Sequence, residues 1–72
     1  MRGIWQCTVG TVIDVEEDEM FTIVQGRGTV IIEDGPVLEL EPGTVGFFTK
    51  GTKTKWIIHE TLRKTFQITL SE

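Results

Sequence analysis

Glu19–Met20–Phe21–Thr22–Ile23–Val24–Gln25–Gly26 and Pro42–Gly43–Thr44–Val45–Gly46–Phe47–Phe48–Thr49–Lys50–Gly51 decide the architecture of this chain. The first reads as a strand that opens on a glutamate and closes on a glycine. The second reads as a turn, a strand and another turn. Successive side chains of a strand point to opposite faces. Glu19, Phe21, Ile23 and Gln25 therefore share one face, and Met20, Thr22 and Val24 share the other. A carboxylate on the same side as two large apolar groups must find a partner or a proton.

The same grammar extends in both directions. β-Branched and aromatic runs are broken by Gly, Pro and Asp, and no segment carries helical periodicity with caps. Strands are predicted near Ile4–Thr8, Thr11–Val15, Glu19–Gln25, Thr29–Glu33, Val37–Leu40, Val45–Thr49, Thr54–Glu60 and Lys64–Leu70. Turns are predicted at Glu16–Asp18, Gly26–Gly28, Asp34–Pro36, Glu41–Gly43 and Lys50–Thr52. Asp34–Gly35 is a hairpin signal, with Gly35 expected to take positive φ. Pro42–Gly43 suits a type II turn. Short, evenly spaced strands imply a closed or sandwiched antiparallel architecture. Thr54, Trp56, Ile58 and Glu60 should face one way and Lys55, Ile57 and His59 the other. Lys64, Phe66, Ile68 and Leu70 should again face together.

Composition narrows the partners. Seventy-two residues make one domain, 1–72, too small to bury a generous core, so a second subunit is expected. Seven basic against 11 acidic residues, for a net charge of −4, exclude a nucleic-acid face. No apolar run reaches the roughly 20 residues of a membrane span, and residues 1–13 lack the continuous apolar stretch of a signal peptide. A single cysteine, Cys7, allows no internal disulfide and suits a reducing cytoplasm.

The ordered series Trp5–Gln6–Cys7–Thr8 with Gly10, Glu19 with Gly26, Asp34–Gly35, Glu41–Pro42–Gly43, Phe48 with Gly51, Trp56 with His59–Glu60–Thr61, and Arg63–Lys64 resembles the small cupins. These are related to ureidoglycine aminohydrolase and to the ethanolamine-utilisation cupins. The resemblance implies an all-β fold, a small antiparallel jelly-roll (cupin) β-barrel, and a homodimer. It also implies metal-binding histidines, which this chain lacks. Their positions before the glutamate hold Ile13 and Val15, or Val12 and Asp14, and the position after Gly51 holds Thr54. Of the ligand set only Glu19 remains. A lone carboxylate is a poor site for zinc, iron, nickel or copper, which rely on imidazole or thiolate ligands. No metal cofactor is therefore expected. Asp14 and Glu19, meeting across the Glu16–Asp18 turn, are the one candidate pair for a hard divalent cation such as Mg²⁺.

The candidate ligand-binding residues are Glu19, Trp56, Lys64, Glu60 and Gln25; no catalytic residue is identified. Lys64 faces inward and is expected to pair with Glu19, or with Glu60 if Thr61–Arg63 forms a hairpin loop. The pair is either structural or the floor of a pocket for a small carboxylate or ureide. Trp5 and Trp56 are core or rim residues. His59, the only histidine, is expected on the surface or an interface, and Cys7 as a packed thiol. Three functions compete: a metal-free small-molecule-binding or structural barrel, a C–N hydrolase of the ureidoglycine aminohydrolase kind using a divalent metal, and an interaction subunit of a larger assembly.

Overall fold

The alternating pattern produces strands almost end to end. The computed structural model describes residues 1–70 and holds six strands: β1 (Arg2–Cys7), β2 (Gly10–Val15), β3 (Asp18–Ile32), β4 (Val37–Leu40), β5 (Val45–Phe48) and β6 (Lys53–Thr69). All pairings are antiparallel. β3 and β6 pair with each other along most of their length. β1 and β2 flank β6, while β4 and β5 flank β3. The registers define two layers. One holds β1, the second half of β6, the first half of β3, and β5. The other holds β2, the first half of β6, the second half of β3, and β4.

Eight predicted strands thus become six. Neither Gly26–Gly28 nor Thr61–Arg63 is a turn; each lies inside a long strand that passes from one layer to the other. The β3–β6 register shifts between Ile23 and Gly28, as β-bulges do when they bend a strand. Gly26 makes this possible. Its φ is 90°, and a Cβ there would overlap the Thr61 carbonyl oxygen. The bulges also switch the inward face of β3. Glu19, Phe21 and Ile23 are buried before them, and Gly28 and Val30 after. β6 keeps its phase, with Trp56, Ile58, Leu62 and Lys64 all buried.

The core lies between the layers. Leu62, Val30, Ile23 and Phe21 are at most 1% exposed, and burial of each such side chain contributes roughly 1.5–3 kcal/mol. Phe21 stacks on Phe48 at 5.3 Å between ring centroids, and Trp56 tilts onto both at 5.8 and 5.9 Å. Besides the missing turn at Gly26–Gly28, one further turn, that at Asp34–Gly35, departs from expectation in detail. Gly43 takes φ 96° after Pro42, and Thr44 N–H donates to the Glu41 carbonyl. In the Asp34–Gly35 turn the left-handed residue is Asp34, at φ 57°, and not Gly35. Asp tolerates that region better than most residues with a side chain.

Two loops are tied together at one end of the barrel. Glu16 N–H donates to the Thr52 carbonyl at 2.8 Å, and Gly51 N–H donates to the Glu16 carbonyl at 2.9 Å. The Lys50 N–H donates to Asp18 Oδ1 at 2.8 Å. These bonds fasten the acidic turn between β2 and β3 onto the turn between β5 and β6.

Candidate functional site

Trp56 and Lys64 sit at even positions of β6, and Glu19 at an odd position of the first half of β3. All three therefore point between the layers. There Lys64 Nζ donates to Glu19 Oε2 at 2.5 Å. Both residues are nearly sealed, at 5% and 6% exposure. The ammonium also lies 4.5 Å from the Trp56 ring centroid, 5.0 Å from Trp5 and 5.1 Å from Phe21. Ring faces carry negative potential and attract a cation, so the lysine is held by one carboxylate and three aromatic rings. The expected Glu60–Lys64 pairing does not form. With no hairpin at Thr61–Arg63, the two residues lie along one continuous strand, and Glu60 is exposed and pairs with Arg27 at 3.6 Å.

Beside this pair stands a residue that sequence reading placed in a turn. Glu16 is 5% exposed. Its Oε2 accepts hydrogen bonds from Thr54 Oγ1 at 2.7 Å and from Trp56 Nε1 at 3.0 Å. Burial pushes its carboxyl above the usual carboxylate range. The Thr54 and Trp56 hydrogen bonds oppose that rise, and the charges of Asp14 and Glu19 add to it. Nothing in the run Glu16–Glu17–Asp18 marks the first acid as the buried one. It is singled out by the 49–52 turn that holds its backbone.

These groups border a cavity of about 180 Å³ at the end of the barrel away from the strand bends. Trp5, Val12, Trp56 and Phe66 form apolar wall, and Asp14, Glu16, Glu17, Glu19 and Lys64 supply the charge. Of the five candidate ligand-binding residues, Glu19, Trp56 and Lys64 meet here. Gln25 and Glu60 are exposed and do not border the cavity. His59 is exposed, with Nε2 3.1 Å from Thr29 Oγ1. Cys7 is half-buried and packs against the core.

A histidine-held metal does not fit this donor set. Asp14 and Glu19 both reach the cavity, but Asp14 Oδ1 accepts the Val15 N–H and Glu19 Oε2 is taken by Lys64. Among the described residues no three His, Cys, Asp or Glu side chains converge as metal ligands do. No helix of the described chain is long and apolar enough to cross a membrane.

Residues 1–66 match the EutQ-like cupin domain. The chain belongs to that family. Solved structures repeat the fold. A DUF861 family protein from Thermotoga maritima superposes with a TM-score of 0.85 at 28% identity, covering 93% of this cupin and 77% of the other chain. A DUF1255 protein of unknown function from Acidithiobacillus ferrooxidans gives 0.81 at 17% identity, over 86% and 60% of the two chains. A protein named as ethanolamine utilisation protein Q, from Salmonella typhimurium, gives 0.77 at 21% identity. This cupin covers 53% of that chain, with 90% of its own residues aligned. No curated protein gives a significant match. This is a cupin-fold protein whose similar structures carry no common assigned activity.

Proposed function

We propose that this cupin is a small-molecule-binding barrel that works without a bound transition metal. The observation that carries the reading is the buried Glu19–Lys64 pair at the edge of a cavity walled by Trp5 and Trp56. A buried ion pair adds little net stability compared with apolar residues of the same volume. Folding alone therefore does not require one, whereas a polar floor beneath aromatic walls is the common make-up of a ligand site. The hydrolytic alternative rests on family likeness alone, and fold does not confer chemistry. Cys7 as an unpaired thiol agrees with a cytoplasmic setting.

The test is a thermal-shift screen with small carboxylates, ureides and amines. One class should raise the midpoint with concentration, as any ligand selective for the native state does. The shift should vanish in Trp5→Ala. A flat response to every class at high concentration would refute the reading.

A second copy of the chain is the partner this reading carries. On the outer face of the layer containing β1 and β5, Phe47, Val45, Ile4 and Met20 are all more than half exposed. Phe47 stands opposite Met20 across the strands. Apolar patches of this kind mark association surfaces. Light scattering should report a dimer that Phe47→Glu converts to a monomer; a monomeric wild type would remove the homodimer from the proposal.

A further inference from the structure

The charges around the cavity choose its ligand. Among the described residues Lys64 is the only cation that borders it, against Asp14, Glu16, Glu17 and Glu19. Its ammonium is already held by Glu19 and by three ring faces. Among the described residues, Asp14, Glu16 and Glu17 form no salt bridge. A carboxylate ligand would thus meet three uncompensated acids and a lysine whose charge is spent.

Glu16 supplies a second, separate sign. Although only 5% of the residue is exposed, both of its side-chain hydrogen bonds fall on Oε2. Oε1 receives none, yet no sealed polar atom among the described residues lacks a partner. Oε1 is therefore not sealed, and Glu16 is one of the residues that line the cavity. A carboxylate oxygen that takes no hydrogen bond from the described chain can accept one from a donor that a ligand brings, and charge-assisted bonds are the strongest that such an acceptor makes. The Trp5 and Trp56 rings that already surround one ammonium suit the alkyl part and the charge of another.

We propose that the cavity binds a small organic cation, an alkylammonium, with Glu16 as its principal counter-ion and Trp5 and Trp56 around its alkyl group. This rests on the binding reading above and replaces the small carboxylate as the expected ligand class. Glu17, half-buried on the same turn, adds negative potential at the entrance.

The experiment compares three probes of one shape: n-butylammonium, n-butanol and n-butyrate. The intrinsic fluorescence of Trp5 and Trp56, the chain's two tryptophans, reports binding at the cavity directly. Butylammonium should give a saturable change at a concentration about tenfold below that of butanol, and butyrate should give none. Glu16→Gln, which keeps an acceptor for Thr54 and Trp56, should weaken butylammonium by about tenfold and leave butanol unchanged. If that variant does not fold, Glu17→Gln should weaken butylammonium by a smaller factor, again without affecting butanol. Butyrate or butanol binding as tightly as butylammonium would overturn the cation assignment alone, as would two folded variants that bind it like the wild type. No saturable change with any of the three would overturn the assignment and the binding reading together.

Discussion

The two ends of this barrel are built from different physics. At the bends of β3 and β6 the interior is wholly apolar: Ile23, Leu40, Ile58 and Leu62 are all at most 2% exposed. At the opposite end a glutamate bonds a lysine, a second glutamate is buried beside them, and a cavity is left unfilled. The first end is close-packed and maximises stability. The second forgoes packing and desolvates charge, both of which cost free energy. The cost is confined to one end because the other is packed well enough to sustain the fold.

The contrast can be broken at its strongest point. Gly26→Ala should be the most damaging single change, because the new methyl group collides with the Thr61 backbone and the φ of 90° disfavours it. A loss of more than about 4 kcal/mol is expected, read by urea denaturation. Next comes Lys64→Ala, which strands Glu19 without its cation and should cost roughly 3–5 kcal/mol. The double variant Glu19→Leu with Lys64→Met sharpens the comparison. It turns the charged end into the kind of interior found at the bends, and its stability should fall within about 1 kcal/mol of wild type or exceed it. A double variant as unstable as the single one would mean that the two ends do not differ in the way described. At the apolar end, Leu62→Ala should cost roughly 2–5 kcal/mol by transfer and cavity terms, with no compensating partner.

The smallest effect is a pH dependence. Burial raises the Glu16 carboxyl in the folded state. A raised acid favours the native state when protonated, so its contribution is present below the unfolded value of about 4.3 and is lost as pH climbs through the folded one. Glu16→Gln removes that loss. Its thermal midpoint relative to wild type should therefore be more favourable at pH 7 than at pH 4. A difference independent of pH would show that the native carboxyl is not raised.

Alternation made most of this fold legible. It correctly sent Glu19, Phe21, Trp56 and Lys64 inward, because residues on a regular strand cannot choose their side independently. It failed where regularity stops. Gly26–Arg27–Gly28 carries the chemistry of a turn as well as that of a bulge, and only the strand opposite decides between them. Gln25 was assigned inward by extending the count into the bulges, and Glu60 by the phase that β6 keeps; both are exposed at the bend. Glu16 was illegible for another reason. It lies off the strands, so no period applies to it, and its burial depends on hydrogen bonds to Thr52 and Gly51, more than 30 positions away in sequence.

The continuous course of β3 and β6 through both layers has a consequence for motion. Neither half of the barrel owns its central strands, so neither can melt while the other stays intact. Amide protons in the middle of both layers should exchange with solvent through a single whole-molecule opening. Early exchange should be limited to β4, β5 and the turn around Asp34, which peel away without uncoupling the shared pair.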